Sequence, residues 1–296
     1  MKTLLDQSEL LGLGDVVDAR AAIPRTSRTQ IVDALTRYVP LAGATGAERV
    51  TLIGTEPLRR ATNADRVAAE VHAATGLMLH VVSVRQEAIL AFIGVTGGRP
   101  PAESLIVVDI GGGSTELSLY VPGRSLDDIA LPIGSARLTN SIVGHDPPTE
   151  QELDALHDAA DSIRAALPSA SATFGVHLPR AVFVGGTATN VARMGRLTPA
   201  ALKEDRQTLA RLSAAEVVDH FGVRPRRARQ LAAGAAIVDV LLDHFGLQDA
   251  DVSEASLRDG AIIVALRYGG EWPDRLEELL RGEPGQAPDL VASSSH

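Results

Sequence analysis

The chain of 296 residues contains no cysteine, which excludes disulfides, thiolate zinc sites and cysteine nucleophiles. It also has no apolar run approaching the roughly 20 residues needed to cross a bilayer. Its opening, MKTLLDQSELLGLGD, carries acids where a signal peptide needs an apolar centre. These absences predict a cytoplasmic protein with no membrane partner. Positive charge is not in excess either: the formal net charge is −9, which argues against broad nucleic-acid binding. An acidic protein that binds polyanions must concentrate positive potential in a cleft or use a metal ion. No repeat of solenoid period is present. What the chain does have is 45 % apolar residues, enough for a substantial core, and a length that suggests about two domains.

The most informative stretch is LIVVDIGGGSTELSL, residues 105–119. Leu105, Ile106, Val107 and Val108 read as a buried strand that ends in an acid, Asp109, followed by Gly111, Gly112, Gly113, Ser114 and Thr115. Successive glycines let backbone N–H groups point into one concavity, and a carboxylate at a strand tip can hold a metal ion against phosphate. Alternation resumes at Glu116, Leu117, Leu119 and Val121, so the turn is expected to join two strands of a hairpin. Rossmann and P-loop readings fail, because both need a helix after the glycines. On these residues alone a phosphate-holding turn and a plain glycine-rich hairpin both stand.

Along the chain, Leu10, Leu11 and Leu13 around Gly12 and Gly14 suggest a strand end and turn. Helices are expected over 28–43 with Ser27 as cap, over 64–75 with Asn63 as cap, and over 85–95. Strands are expected at 49–54 and 78–82. GGRPPAES at 97–104 is the best boundary candidate, which gives a first domain over 1–98, a second over 99–282 and a polar tail over 283–296, read as disordered. Within the second domain a third antiparallel strand is expected at 127–132 and a helix opening at Gly134 and Ser135. Another helix, capped by Thr149, should run to about Leu167. PRAVFV at 179–184 reads as a buried strand running into Gly185, Gly186 and Thr187 at a helix start, a second anion contact. Helices fill 198–245, and a strand at 251–254 leads to a last helix over 261–268.

The ordered set DIGGGSTEL (109–117), GTEPLRRATN (54–63), QEAILAFIGV (86–95), LPIGSARLT (131–139), VGGTATN (184–190) and VSEASLRDG (252–260) resembles the exopolyphosphatase and guanosine pentaphosphate phosphohydrolase (Ppx/GppA) family of the actin-like ATPase superfamily. The likeness runs from about Leu11 to Val264. It implies an α/β fold of two actin-like lobes and a magnesium-dependent phosphohydrolase acting on inorganic polyphosphate or guanosine pentaphosphate. It implies further that Glu87 activates the attacking water, that Asp109 and Glu116 serve the magnesium ion, and that Arg59 binds the phosphate chain. The amides of Gly112, Gly113, Ser114, Gly186 and Thr187 would form the anion cradle, with Gly111, Thr115 and Gly185 in the same loops. From spacing alone, Glu87 reads instead as a solvated acid at a helix start, and Arg59–Arg60 as a surface pair. His157 and Asp158 read as helix surface. The basic run Arg224–Arg229 reads as a solvated helix face, with a polyphosphate track as the alternative. Glu116 either shares a face with Asp109 or points away from it.

The sequence departs from the family pattern in several places. The first phosphate loop, D-x-G-S-N-S, has no counterpart in residues 1–25, which leaves the first lobe without its N-terminal strand. The chain is therefore expected to be either a shortened form of a longer gene product or a degenerate member with weak or lost turnover that binds polyphosphate or a guanosine polyphosphate. An incomplete sheet suggests a homodimer. The family's S-G-x-E-E-A reads SVRQEA, with Val84 and Gln86 as the altered positions, and its R-A-D reads Arg227, Ala228, Arg229. Glu56 and Pro57 stand where small residues are usual. An ATP-dependent kinase of the same superfamily is a weaker alternative, because no adenosine motif is legible beyond Gly185 and Gly186.

Overall fold

The structure is a computed structural model that describes residues 4–7, 9, 11–175 and 179–280. The polar tail expected at 283–296, and Leu10, lie outside the described residues. The chain separates into two compact units, Met1–Ser83 and Val84–His296.

In the first unit, helix α1 (Leu13–Arg20) replaces the strand end expected there. Its Val17 faces inward beside Ile23, and Leu11 and Leu13 pack against the same core. Helix α2 (Arg25–Ala44) starts before Ser27, with Pro24 at the cap position. Strand β1 (Leu52–Gly54), helices α3 (Glu56–Arg60) and α4 (Ala64–Thr75) and strand β2 (Leu79–Val81) form a parallel crossover unit, with Leu52 opposite Leu79 and Gly54 opposite Val81. Both strands are shorter than the sequence suggested. The core here is Val17, Ile23, Ile31, Leu52, Leu58, Ala61, Val67 and Val71. Asn63 stands at the cap position of α4 but makes no side-chain cap bond. Its amide instead accepts from Ile23 N at 2.9 Å and donates to Ile23 O at 2.9 Å. It thus satisfies a loop whose peptide groups would otherwise be buried unpaired.

The second unit begins with helix α5 (Val84–Thr96) and a hairpin of β3 (Leu105–Ile110) and β4 (Thr115–Tyr120), extended by β5 (Asp127–Leu131). Helix α6 (Ser135–Ile142) follows. Helix α7 (Glu150–Asp161) is capped by Thr149 and Glu152 as expected, but it ends in a tighter turn over Ser162–Ala166 and does not continue to Leu167. Then come α8 (Ala170–Phe174), β6 (Arg180–Val184), α9 (Gly185–Val191), α10 (Pro199–Leu209), α11 (Ala214–Phe221), α12 (Pro225–Ala228) and α13 (Leu231–Phe245). Strand β7 (Asp251–Val252), helix α14 (Leu257–Tyr268), a 3-10 turn (Gly269–Asp274) and α15 (Leu276–Leu280) complete it. Helix α14 starts earlier than the apolar pattern implied, because Ser256 and Asp259 form a reciprocal cap.

The five-stranded sheet has the order β5-β4-β3-β6-β7, antiparallel on the hairpin side and parallel through β6 and β7. Side chains alternate across it. One face presents Ile106, Val108, Ile110, Leu117 and Leu119 to a core shared with Ile237, Val238, Leu241 and Leu242 of α13. The opposite face meets α5: the Ser118 hydroxyl donates to Ala88 O at 3.0 Å, and the rings of Tyr120 and Phe92 lie 5.2 Å apart. Helix α5 in turn crosses α14 main chain against main chain. A Cβ on Gly260 would stand 1.9 Å from Leu90 O, and one on Gly94 would stand 2.1 Å from Ser256 O, so the crossing admits no side chain at either position.

This packing moves the domain boundary. The turn-rich stretch at 97–104 is a loop inside the second unit, and the division falls at Ser83/Val84 because α5 belongs with α14 and the hairpin. Among the described residues no helix is long and apolar enough to cross a membrane.

Candidate active site

Strands β3 and β6 are parallel neighbours, with Asp109 opposite Val184. Their carboxyl ends therefore bring the hairpin turn and the Gly185–Gly186–Thr187 segment to one edge of the sheet, the usual ligand end of such sheets. The hairpin turn is closed by Gly111 N donating to Ser114 O at 2.9 Å. Its carbonyls are taken by the start of α6: Ser135 N donates to Gly111 O at 3.1 Å and Arg137 N to Gly112 O at 2.9 Å. With the carbonyls turned that way, the N–H groups of Gly112, Gly113 and Ser114 meet no protein acceptor among the described residues, and the turn itself is partly open to solvent.

The hydroxyls of the two threonines of these loops are each engaged within the protein. Thr115 is completely buried and donates to Ile133 O at 2.8 Å, while Thr187 shares a buried 2.8 Å bond with the Ser135 hydroxyl. Both pin the loops from behind, a role that spacing alone could not separate from ligand contact. Gly185 adopts φ 85°, and a Cβ there would sit 2.3 Å from Asp109 Oδ1, so the chain passes directly over the Asp109 carboxylate.

Asp109 and Glu116 are directly opposed in the hairpin register. Opposed residues of an antiparallel pair share a face, so Glu116 lies on the α5 side with Asp109 and does not point away from it. Glu87, in the first turn of α5, is buried at 8 % exposure and Glu116 at 5 %, so Glu87 is not the solvated acid suggested by its position in the helix. Burial, with the nearby Glu87 charge adding to it, pushes the Asp109 carboxyl up to about 6. Among the described residues no group of acids or histidines forms a cage of three or more metal donors. His157 does not extend to such a group; its Nδ1 stands 3.8 Å from Asp239 Oδ2.

Arg59 belongs to the first unit, where its Nη1 donates to Val82 O at 2.9 Å at the carboxyl end of the parallel pair. The neighbouring Arg60 is held by Glu56 and Asp18, which gives the acid at position 56 a partner. The basic run departs from a solvated face in one respect. The Arg227 guanidinium is turned inward against Gly186, with Nη2 3.1 Å from where a Cβ would stand. Its Nη1 donates to Gln230 Oε1 at 3.0 Å, and burial together with the Arg224 charge lowers its pKa. It has no carboxylate partner among the described residues. The sequence signal for it was the family's R-A-D position, obscured by the three other arginines around it.

The family model of the Ppx/GppA phosphatase family matches residues 1–268. The chain belongs to that family. Exopolyphosphatase 1 of Mycobacterium leprae is 26 % identical over 96 % of this chain and 88 % of its own length. Exopolyphosphatase 2 of Mycobacterium tuberculosis is 30 % identical, over 89 % of this chain and 88 % of its own. Among solved structures, the Aquifex aeolicus Ppx/GppA family member matches with a TM-score of 0.73 and 27 % identity, covering 88 % of this chain and 87 % of that one. An exopolyphosphatase from Cytophaga hutchinsonii matches with a TM-score of 0.75 at 22 % identity and 88 % coverage of both chains, a likeness of fold. The α/β, actin-like ATPase fold expected from the motifs is therefore the fold of this Ppx/GppA phosphatase.

Proposed function

We propose that the protein hydrolyses the terminal phosphoanhydride of inorganic polyphosphate with the help of magnesium, and that Glu87 is the group that orients the water and takes its proton. One observation carries this reading: the Asp109 and Glu87 carboxylates interact electrostatically beside a turn whose Gly112, Gly113 and Ser114 amides have no protein acceptor. A base, an acid suited to a hard cation and an anion cradle are the parts that phosphoryl transfer needs. The exopolyphosphatase relatives favour polyphosphate over guanosine pentaphosphate.

The residues fit magnesium by the chemistry of their donors. Asp109 and Glu116 present hard carboxylate oxygens on one face, and magnesium characteristically takes one or two carboxylates, water and substrate phosphates, not a full protein cage. Burial first, and the Glu87 charge second, raise the proton affinity of Asp109, and a cation bound there would counter both. Bound there, the ion would neutralise phosphate oxygens. The Gly112–Ser114 amides, the first-turn amides of Gly186 and Thr187, and the Arg227 guanidinium would hold the terminal phosphoryl group. Water oxygen then bonds to phosphorus as the bridging P–O bond breaks. Glu87 receives a water proton, and orthophosphate leaves a chain one unit shorter.

The test is phosphate release from polyphosphate and from guanosine pentaphosphate, with magnesium and with chelator. Glu87→Ala is expected to lower kcat by about 10²–10⁴-fold while polyphosphate still binds. Unaltered release by Glu87→Ala and Asp109→Ala would refute the assignment. Binding without release by the unmodified protein would identify a polyphosphate sensor instead.

A further inference from the structure

Glu87 has no freedom conferred by a loose helix end. Both residues preceding it, and the one following it, are tied to different parts of the second unit. Arg85 makes a two-pronged pair with Glu277 of α15, with Nε to Oε1 at 2.9 Å and Nη2 to Oε2 at 3.2 Å. Its Nη1 donates to Asp128 Oδ1 of β5 at 2.8 Å and also to Leu126 O. Gln86 Nε2 donates to Pro273 O at 3.1 Å. Ala88 O accepts the Ser118 hydroxyl of β4 at 3.0 Å.

The Gln86 bond gives a chemical reason for one departure from the family pattern. An ionised carboxylate has no proton to donate, so the acid usual at this position could not reach the Pro273 carbonyl in the same way. It would also set a second negative charge beside Glu87. An amide supplies the donor and removes that charge.

We propose that Arg85 and Gln86 are positioning residues for Glu87, held by a clamp that residues 273–277 and the Leu126–Asp128 edge of the sheet supply. The clamp acts on geometry and adds little stability. The Glu277 and Arg85 side chains are 45 % and 31 % exposed, and ion pairs so exposed add little to folding. Misplacement of a catalytic group by a fraction of an ångström, in contrast, is costly to turnover. The inference rests on the assignment of Glu87 as the water-activating group.

The experiment compares the unmodified chain with Glu277→Gln, Gln86→Ala and the double variant, using polyphosphate as substrate. Each single change is expected to lower kcat about threefold and the double about tenfold. KM should stay within about twofold, and the melting temperature within about 3 °C. Unchanged kcat in the double variant, KM rising in step with the loss, or a loss tracking a lowered melting temperature would each overturn the proposal. Amide hydrogen exchange of residues 84–88 is measured in parallel. If the unmodified chain releases no phosphate, the assignment of Glu87 fails, and exchange alone decides the clamp. Faster exchange confined to that turn in the double variant supports it, and unchanged exchange overturns it.

Discussion

Replacing Asp109 by asparagine should stabilise this protein at neutral pH in the absence of metal. The Asp109 carboxyl is pushed from an ordinary 3.8 to about 6 in the folded chain. The folded state therefore keeps its proton through a window, about pH 4 to 6, in which the unfolded chain has released it. Stability from this group is fully present below the unfolded value and is lost as pH rises through 6. The difference between 3.8 and about 6 corresponds to at most about 3 kcal/mol. The substituted amide would have no such proton to lose. The stability advantage of Asp109→Asn should thus grow from near zero at pH 4 to between about 1 and 3 kcal/mol at pH 7.5. Other shifted acids, such as Asp205 at about 6, titrate in both proteins and cancel in the difference. The assay is urea unfolding across pH in chelator, followed by fluorescence of Trp272. This is the one tryptophan of the chain, and it is buried in the same unit as Asp109. Adding magnesium should reverse the order, stabilising the unmodified chain and leaving the variant unmoved. If Asp109→Asn were less stable at pH 7.5, or if the difference stayed flat with pH, the account of this carboxylate would be wrong.

Other perturbations probe other parts of the molecule. Gly260→Ala drives a Cβ into the Leu90 carbonyl, and should cost about 3 kcal/mol or more in unfolding free energy, read as lost soluble protein or a lower Tm; an alanine variant as stable as the parent would contradict the crossing. Asn63→Ala leaves the Ile23 peptide without its partners, an expected loss of about 2 kcal/mol in denaturant unfolding. Arg227→Gln removes the inward guanidinium beside Gly186; KM for polyphosphate should rise about tenfold with a smaller change in kcat, whereas an unaffected KM would exclude phosphate contact.

How much of this was legible depends on how local each signal is. The β3–β4 hairpin could be read because alternation and the glycine turn lie within one short stretch, and the capping box at Thr149 could be read for the same reason. The boundary at 97–104 misled because a Gly/Pro-rich break records only that the backbone turns. Whether α5 packs with what precedes it or with α14, which follows much later, is decided by a long-range crossing that Gly94 and Gly260 do not announce individually. Asn63 offered a side chain equally suited to a cap or a loop, and the loop's unmet peptide groups won. At the site, the motif located Asp109 and the glycine loops. It did not reveal that Thr115 and Thr187 spend their hydroxyls on the protein, or that one arginine of a basic run turns inward.

The open amides of the Gly112–Ser114 turn belong to the backbone, and this limits how the turn can change. A side-chain pocket can be resized one substitution at a time, but main-chain donors are the same whichever residues carry them. If the turn holds phosphate as proposed, it would recognise charge and tetrahedral shape and be blind to whatever the phosphate is attached to. Discrimination between one phosphorylated compound and another then has to be written outside the loop, in side chains farther along the bound molecule. Relatives that share this turn can therefore diverge in substrate while leaving its sequence untouched.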